Sequence, residues 1–199
     1  GEKAGWERVN YYQPNASRGD EALRPRGWAG RVWSPATGAE HHATRTAAGL
    51  FDETSFAKLQ VSGPDAAAFL EWVCVNEVAR GVGDVTYTQA LNARGGIEAD
   101  FTVTRRHADD FLVVTGTAFG THDRAWLRTR AREDGYDVGI DDVTATMVCF
   151  ALWGPAARAI LGSLTAADVS DHAFPFMSAQ QIVVGDVREA SLASQPRPT

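Results

Sequence analysis

The residue with the clearest chemical potential is an acid that falls on a strand. Asp100 lies on the polar side of the run 97–104, in which apolar and polar residues alternate as they do in a strand with one buried face. Aspartate is depleted in strands, so its presence needs a reason. The simplest reason is a solvated side chain. The functional alternative is a carboxylate that belongs to a catalytic or binding site.

Other polar residues give weaker signals. His41 and His42 are adjacent but have no carboxylate or cysteine at ligand spacing, so we expect no metal site there. The pair Asp109–Asp110 falls between two strand-like runs and is typical of a turn. The arginines of 124–132 fall on the expected solvent side of a helix over 119–132, and an anion-binding role is the alternative.

Asp100 needs an element that positions it, and the surrounding sequence predicts a β-hairpin. Two β-rich runs, which begin near Tyr87 and at Ile97, flank a loop that ends in Gly95–Gly96. Glycine enters positive φ at no steric cost, as such tight loops require. We take this hairpin as the element around which the chain is organised.

A strand, a Gly-Pro turn and a helix are predicted twice. Residues 56–70 match residues 147–161, with Gly63–Pro64 aligned to Gly154–Pro155. Proline suits the first helical turn because its missing N–H would have no intrahelical partner, and the glycine before it permits a sharp change of direction. The repeat implies two related lobes.

The order of these elements predicts the fold class and the domain boundaries. We expect an α+β protein with a split βαβ (ferredoxin-like) lobe, followed by the start of a second, related lobe. The predicted parts are an extended N-terminal linker segment over 1–45, the first lobe over 46–145, the start of the second lobe over 146–185 and a disordered tail over 186–199. The tail prediction depends on a polar, proline-containing composition.

Composition limits the class of protein. The 199 residues, 44% of them hydrophobic, suffice for one sizeable core or two small lobes, and no apolar run is as long as a membrane span. A net charge of −6 with scattered Lys and Arg argues against a nucleic-acid surface. Cys74 and Cys149 lie in apolar surroundings, which favours buried thiols over a disulfide or a metal site. We therefore expect a reducing compartment. Because the sequence shows no secretion signal, we expect that compartment to be the cytoplasm.

Five motifs occur in order along the chain. They are the hairpin pattern Tyr87–Thr88, Leu91–Asn92, Gly95–Ile97 and Asp100, together with Gly5–Arg8, Ala48–Asp52, Val61–Ala66 and Phe111–Gly116. Up to about residue 185 the chain resembles the folate-binding aminomethyltransferase family. That family includes the glycine-cleavage T-protein and the C-terminal folate modules of dimethylglycine and sarcosine oxidases and dehydrogenases.

The resemblance implies a reaction and a set of site residues. In that family, tetrahydrofolate occupies a central hole and receives a methylene group from the iminium of an amine donor, giving 5,10-methylenetetrahydrofolate. Asp100 would stabilise the iminium and relay a proton. Tyr87 and Thr115 would contact folate, and Phe56 would line the pocket. An aromatic that packs on its strand is the alternative for Tyr87, and a core side chain is the alternative for Phe56.

Both ends of the chain bear on the expected function. The opening Gly5–Arg8 resembles the junction between a flavin module and a folate module, and it favours an N-methylated glycine as donor, such as dimethylglycine or sarcosine. No Gly-x-Gly-x-x-Gly occurs, so FAD is expected only on a separate or upstream module. The family's closing domain is not matched after residue 185. We therefore expect a truncated member, with a non-catalytic folate-fold binding protein or an inactive fragment as the alternative.

Overall fold

The computed structural model describes residues 1–16 and 21–193, which form two compact units. The first unit contains the described residues of Gly1–Glu53 together with Phe150–Ser163, and the second contains Thr54–Cys149 together with the described residues from Leu164 onward. The helices and strands in chain order are β1 (Glu2–Lys3), β2 (Trp6–Glu7), α1 (Gln13–Ala16), α2 (Pro35–Thr46), β3 (Gly49–Asp52), β4 (Ala57–Ser62), α3 (Ala66–Val73), β5 (Val85–Leu91), β6 (Ile97–His107), β7 (Asp110–Thr115), α4 (Gly120–Glu133), β8 (Gly139–Asp142), β9 (Phe150–Trp153), α5 (Ala157–Gly162), β10 (Ala179–Val184) and β11 (Val187–Ala193).

The first unit contains more regular structure than the sequence predicts. The sequence predicts an extended segment over 1–45, with helical composition only from Glu40, but helix α2 already begins at Pro35. Proline is pre-organised for the first helical position, and the Ser34 hydroxyl caps the helix by accepting a hydrogen bond from the Thr37 N–H at 3.2 Å. Strand β3 follows and pairs antiparallel with β9.

The second unit is built on a five-stranded antiparallel sheet in the order β5-β6-β7-β4-β8. The predicted hairpin is confirmed as β5 and β6, with Gln89 opposite Asp100. A register shift between Ala90 and Leu91 pairs them with Ala99 and Ile97, so the intervening residue of β6 forms a bulge. The prediction of a protein that mixes helices with antiparallel sheet is therefore confirmed, while its finer description as a split βαβ lobe stays a prediction.

The core of this unit lies between one sheet face and helices α3 and α4. Alternate strand residues and the apolar stripes of the helices meet there, and the largest fully buried side chains include Leu59, Phe69, Phe101, Phe111 and Leu127. Each such side chain contributes about 1.5–3 kcal/mol of burial free energy. This packing buries one face of the sheet against the two helices and leaves the opposite sheet face to carry polar groups.

The strand–turn–helix repeat is confirmed as β4 with α3 and as β9 with α5. Gly63 and Gly154 have φ of +131° and +114°, a region that favours glycine. A Cβ on Gly63 would lie 2.7 Å from the Asp137 carbonyl oxygen, and a Cβ on Gly154 would lie 2.5 Å from the Ala47 carbonyl oxygen. Both turns therefore bring a glycine against neighbouring backbone that leaves no room for a side chain.

The end of the described chain corrects one prediction. The sequence predicts a disordered tail from residue 186, but Val187–Ala193 forms strand β11, paired antiparallel with β10. Gly185, at φ +56°, and Asp186 form the connecting loop, and Gly-Asp is a known two-residue hairpin signal. The tail prediction for 194–199 lies outside the described residues, and the other predicted boundaries stay predictions.

Candidate functional site

The hairpin brings Tyr87 and Asp100 together on one sheet face. The Tyr87 hydroxyl donates a hydrogen bond to Asp100 Oδ2 at 2.8 Å. Cross-strand pairing places Gln89 opposite Asp100 and Thr102 opposite Tyr87, so all four side chains share the face turned away from the core. Tyr87 and Asp100 are both exposed, Tyr87 by 53%. The strand alternation that predicted a polar face thus produces a solvent-accessible carboxylate held by a phenol.

The hydrogen bond from Tyr87 also defines the protonation state of the phenol. Donation to the Asp100 carboxylate favours the neutral phenol and raises the pKa of Tyr87 above its ordinary value. The hydroxyl therefore remains a donor throughout the neutral range. Its effect is to fix one oxygen of Asp100 in place while the carboxylate faces solvent.

Thr115 is directed to the interior of the unit. Its side chain is on the core side of β7 and only 5% exposed, and its hydroxyl donates to Asp123 Oδ2 at 2.6 Å. The same hydroxyl lies 3.4 Å from the backbone carbonyl oxygen of Asp100. The structure therefore brings Thr115 to the strand that carries Asp100 but gives its hydroxyl a protein partner.

Phe56 lies in the loop before β4 and is half-buried. Its carbonyl oxygen accepts a hydrogen bond at 2.9 Å from the ammonium group of Lys58, which is itself buried. No hydrogen bond within residues 1–16 and 21–193 joins Phe56 to Tyr87, Asp100 or Thr115. Its role as a pocket-wall residue stays a prediction.

The sequence analysis did not identify three polar residues beside the site, which are Asp123, His122 and Glu98. Asp123, in the first turn of α4, is 1% exposed and its Oδ1 lies 2.9 Å from His122 Nδ1. On the other side of the ring, His122 Nε2 lies 3.3 Å from an oxygen of Glu98. A signal was present, since Asp123 precedes the buried Leu127 and Ala131 at intervals of four residues, in the stripe that faces the core.

The next question is whether a cavity or a metal-ligand cluster coincides with the predicted site residues. A cavity of about 360 Å³ runs along α4 and β8 and is lined by residues that include Arg128, Arg132 and Tyr136. None of the predicted site residues lines it. In the described parts of the chain there is no group of three metal-ligating side chains, and none of the helices found there could cross a bilayer.

Fold and site together define a domain of mixed helices and antiparallel sheet that presents an exposed, phenol-bonded carboxylate on a β-hairpin. The chain belongs to the family described as the GCVT N-terminal domain, whose model matches residues 1–193. The resemblance carried by the five motifs is thereby confirmed.

Curated relatives agree with this assignment. The chain is 30% identical over 185 residues to the mitochondrial dimethylglycine dehydrogenase of Rattus norvegicus, covering 92% of this chain and 21% of that protein. It is 32% identical over 186 residues to the formaldehyde-forming 4-methylaminobutanoate oxidase of Paenarthrobacter nicotinovorans, covering 94% and 22%. It is 34% identical over 165 residues to the aminomethyltransferase of Geobacillus thermodenitrificans, covering 82% and 44%. The chain thus spans less than half the length of each of these proteins.

Solved structures share the fold. The glycine cleavage system aminomethyltransferase T from Bartonella henselae superposes with a TM-score of 0.69 at 27% identity, over 90% of this chain and 42% of that one. The heterotetrameric sarcosine oxidase of Corynebacterium sp. U-96 superposes with a TM-score of 0.54 at 17% identity, over 80% and 76%, a likeness of fold alone.

Proposed function

We propose that this chain is part of a tetrahydrofolate-dependent aminomethyltransferase module that captures a methylene group from an N-methyl amine. The observation that carries the proposal is the Tyr87–Asp100 pair, a carboxylate fixed by a phenol at 2.8 Å on an exposed strand face. Membership of the GCVT family supports it. The strand order β5-β6-β7-β4-β8 also supports a split βαβ lobe with β5 as the added strand.

The residues present fit a ligand that develops positive charge. Tetrahydrofolate, when bound, would supply the two nitrogens that take the methylene carbon from the donor's iminium, and the donor would leave as its protonated amine when the second nitrogen closes the ring. The Asp100 carboxylate stabilises the cation and accepts the proton that the attacking nitrogen loses. Tyr87 donates a hydrogen bond to Oδ2 of that carboxylate, so the other oxygen would be the one that meets the reacting atoms. Thr115 lies beside the same strand, with its hydroxyl oxygen 3.4 Å from the Asp100 carbonyl oxygen.

The donor and partners follow from the relatives. We propose a donor of the dimethylglycine or sarcosine type, because the chain matches a dimethylglycine dehydrogenase over 92% of its length and because Gly5–Arg8 resembles the junction of a flavin module with a folate module. FAD would reside on a separate or upstream module, and a C-terminal domain would complete the folate site. A cytoplasmic location is proposed from the cysteines, neither of which forms a disulfide.

A non-catalytic role is the second candidate. The carboxylate lies on an open face, and the chain spans 44% or less of the relatives described above. A folate-fold binding protein, or a fragment without activity, would present the same exposed pair. The two candidates differ in the role of the Asp100 carboxylate. In the first its charge acts on the folate reaction, and in the second it is only an exposed surface group.

A titration of the chain with tetrahydrofolate, followed by NMR, tests the proposal. Each charge partner that the open site lacks weakens binding by about 2–5 kcal/mol, so we expect affinity weaker than micromolar. Shifts should centre on Tyr87 and Asp100 and shrink in Asp100→Asn. The matched control Asp109→Asn, in an exposed turn of the same unit, should titrate like the parent chain.

Two results would count against this reading. If saturating tetrahydrofolate moves no signal of the hairpin, the chain has no folate site at Asp100. Micromolar or tighter binding by the chain alone would show that no further walls are needed, against the proposal that a C-terminal domain completes the folate site.

A further inference from the structure

A continuous chain of polar contacts links the interior of the second unit to the hairpin loop. Buried Asp123 accepts from Thr115 and faces His122, and His122 faces Glu98. The second oxygen of Glu98 accepts from the Asn92 side-chain amide at 3.3 Å. The chain thus begins in the core and ends at the hairpin loop.

Asn92 is the residue that shapes this loop. Its side-chain oxygen accepts hydrogen bonds from the N–H groups of Arg94 and Gly96, both at 3.0 Å. Its own N–H donates to the Gly96 carbonyl at 2.9 Å. An interaction that keeps Glu98 in contact with Asn92 therefore also stabilises the loop that precedes β6.

The geometry around His122 favours the protonated ring. Nδ1 lies 2.9 Å from Asp123 and Nε2 lies 3.3 Å from Glu98. A neutral imidazole carries one proton, so it would turn a lone pair toward one of these carboxylates, whereas the doubly protonated ring donates to both. The hydrogen bond to Asp123 accordingly raises the pKa of His122 above its ordinary value, with smaller contributions from Glu98. Asp123 on α4 and Glu98 on β6 are the charged groups that face the ring.

We propose that His122, as an imidazolium between Asp123 and Glu98, is a positioning residue for the carboxylate of Asp100. It joins the first turn of α4 to the bulge in β6, two residues before Asp100. The Thr115 hydroxyl, bonded to the same Asp123, touches the Asp100 backbone at 3.4 Å. The inference rests on the proposed function, because it treats Asp100 as the working group.

The pH dependence of this contact has a definite sign. A histidine whose pKa is raised on folding stabilises the folded arrangement below its unfolded pKa of about 6.5. That stabilisation is lost as pH rises through the higher, folded pKa. The hairpin should therefore be held most firmly at mildly acidic pH and loosen as pH rises through that folded pKa.

NMR on the chain without folate tests the inference. In the parent chain, the Asp100 carboxyl carbon and the Tyr87 ring should shift with the midpoint of His122. Near about pH 6, where histidine is protonated, Gly96 N–H exchange should be about two- to fivefold faster in Glu98→Gln, the range expected for losing an exposed ion pair. At a pH above the His122 midpoint the two proteins should match.

Variants separate coupling from folding. Glu98→Gln leaves His122 and Asp123 together and removes the negative charge through which the imidazolium holds the hairpin, so the shift of Asp100 should disappear while His122 still titrates. His107→Gln, an exposed histidine at the far end of β6, is the matched control and should leave the coupling intact.

Two outcomes overturn the inference: Asp100 and Tyr87 signals that stay fixed while His122 titrates, or coupling that survives Glu98→Gln. Because no folate is present, neither outcome depends on the proposed function. Conversely, a chain that shows the coupling but no folate-induced shifts retains the positioning contact and loses the proposed reaction.

Discussion

Replacing Asp100 with asparagine separates a catalytic charge from a structural one. Asp100→Asn keeps the shape of the side chain and an oxygen that can accept from Tyr87, whose hydroxyl now lies 2.8 Å from the carboxylate. Only the charge is lost. A solvated strand residue and a catalytic carboxylate therefore respond differently to the same change.

The expected magnitudes follow from where Asp100 lies. A carboxylate about 4 Å from an iminium gains about 1 kcal/mol in bulk water and about 4 kcal/mol at an effective dielectric constant near 20. Loss of such contacts typically lowers a rate by roughly a hundredfold or more, about 3 kcal/mol. Because Asp100 is exposed, the change in unfolding free energy should stay below about 0.5 kcal/mol, or about 2 °C in melting temperature.

The assay compares methylenetetrahydrofolate formation with thermal unfolding. Formation is measured in a protein where the chain continues into the C-terminal region that its relatives possess, and unfolding is measured on the same protein. Asp109→Asn is the control, since Asp109 is exposed in the same unit. An unchanged rate in Asp100→Asn would return the residue to a solvated strand position, and a large fall in melting temperature would make it structural.

Three further predictions test the fold. Gly63→Ala should lower the unfolding free energy by more than about 2 kcal/mol in chemical denaturation, because φ is +131° and a Cβ would meet backbone. The control Gly95→Ala, at φ +76° with open space around it, should lower it by only about 1 kcal/mol. Equal losses would refute the steric argument. Burial raises the pKa of Cys74 to about 12. A thiol reagent at mildly alkaline pH should therefore label Cys149, which is half-buried, well before it labels Cys74. Simultaneous labelling of the two thiols would contradict the burial of Cys74. Hydrogen bonds from a nearby threonine lower the pKa of Asp142, so its stabilisation is present above the unfolded pKa and lost as pH falls through the folded one. Asp142→Asn should flatten the acid limb of a melting-temperature profile, and an unaltered limb would show that this carboxylate does not contribute.

Local patterns were enough to locate the centre of the candidate site. Alternation along β6 placed Asp100 on a polar face, and the glycine-rich loop placed the two strands side by side, so the hairpin could be derived from the sequence. The hydrogen bond between Thr115 and Asp123 could not be derived from the sequence, because it joins a strand to a helix and their relative position depends on the packed core. Helical spacing alone put Asp123 among apolar positions without showing which hydroxyl satisfies it.

Composition misled where a short turn signal mattered more. The polar residues after Gly185 indicated disorder, yet the two-residue loop and the pairing of Val184 with Val187 extend the chain into β11. Strand pairing supplies backbone hydrogen bonds that a side-chain composition does not reveal. Similarly, Pro35 after Ser34 was a start signal for α2 that low periodicity in the preceding segment concealed.

The two Gly-Pro turns bear on the history of the chain. At Gly63 and at Gly154 the missing side chain makes room for a carbonyl oxygen, and in each case that carbonyl accepts a hydrogen bond from the N–H two residues later, Asp65 at 3.4 Å and Ala156 at 2.9 Å. A single ancestral unit that was copied within one gene would carry this requirement twice. Two such copies could differ at most positions, but not where backbone occupies the space of a side chain, so glycine is required at both turns whatever the rest of each unit becomes.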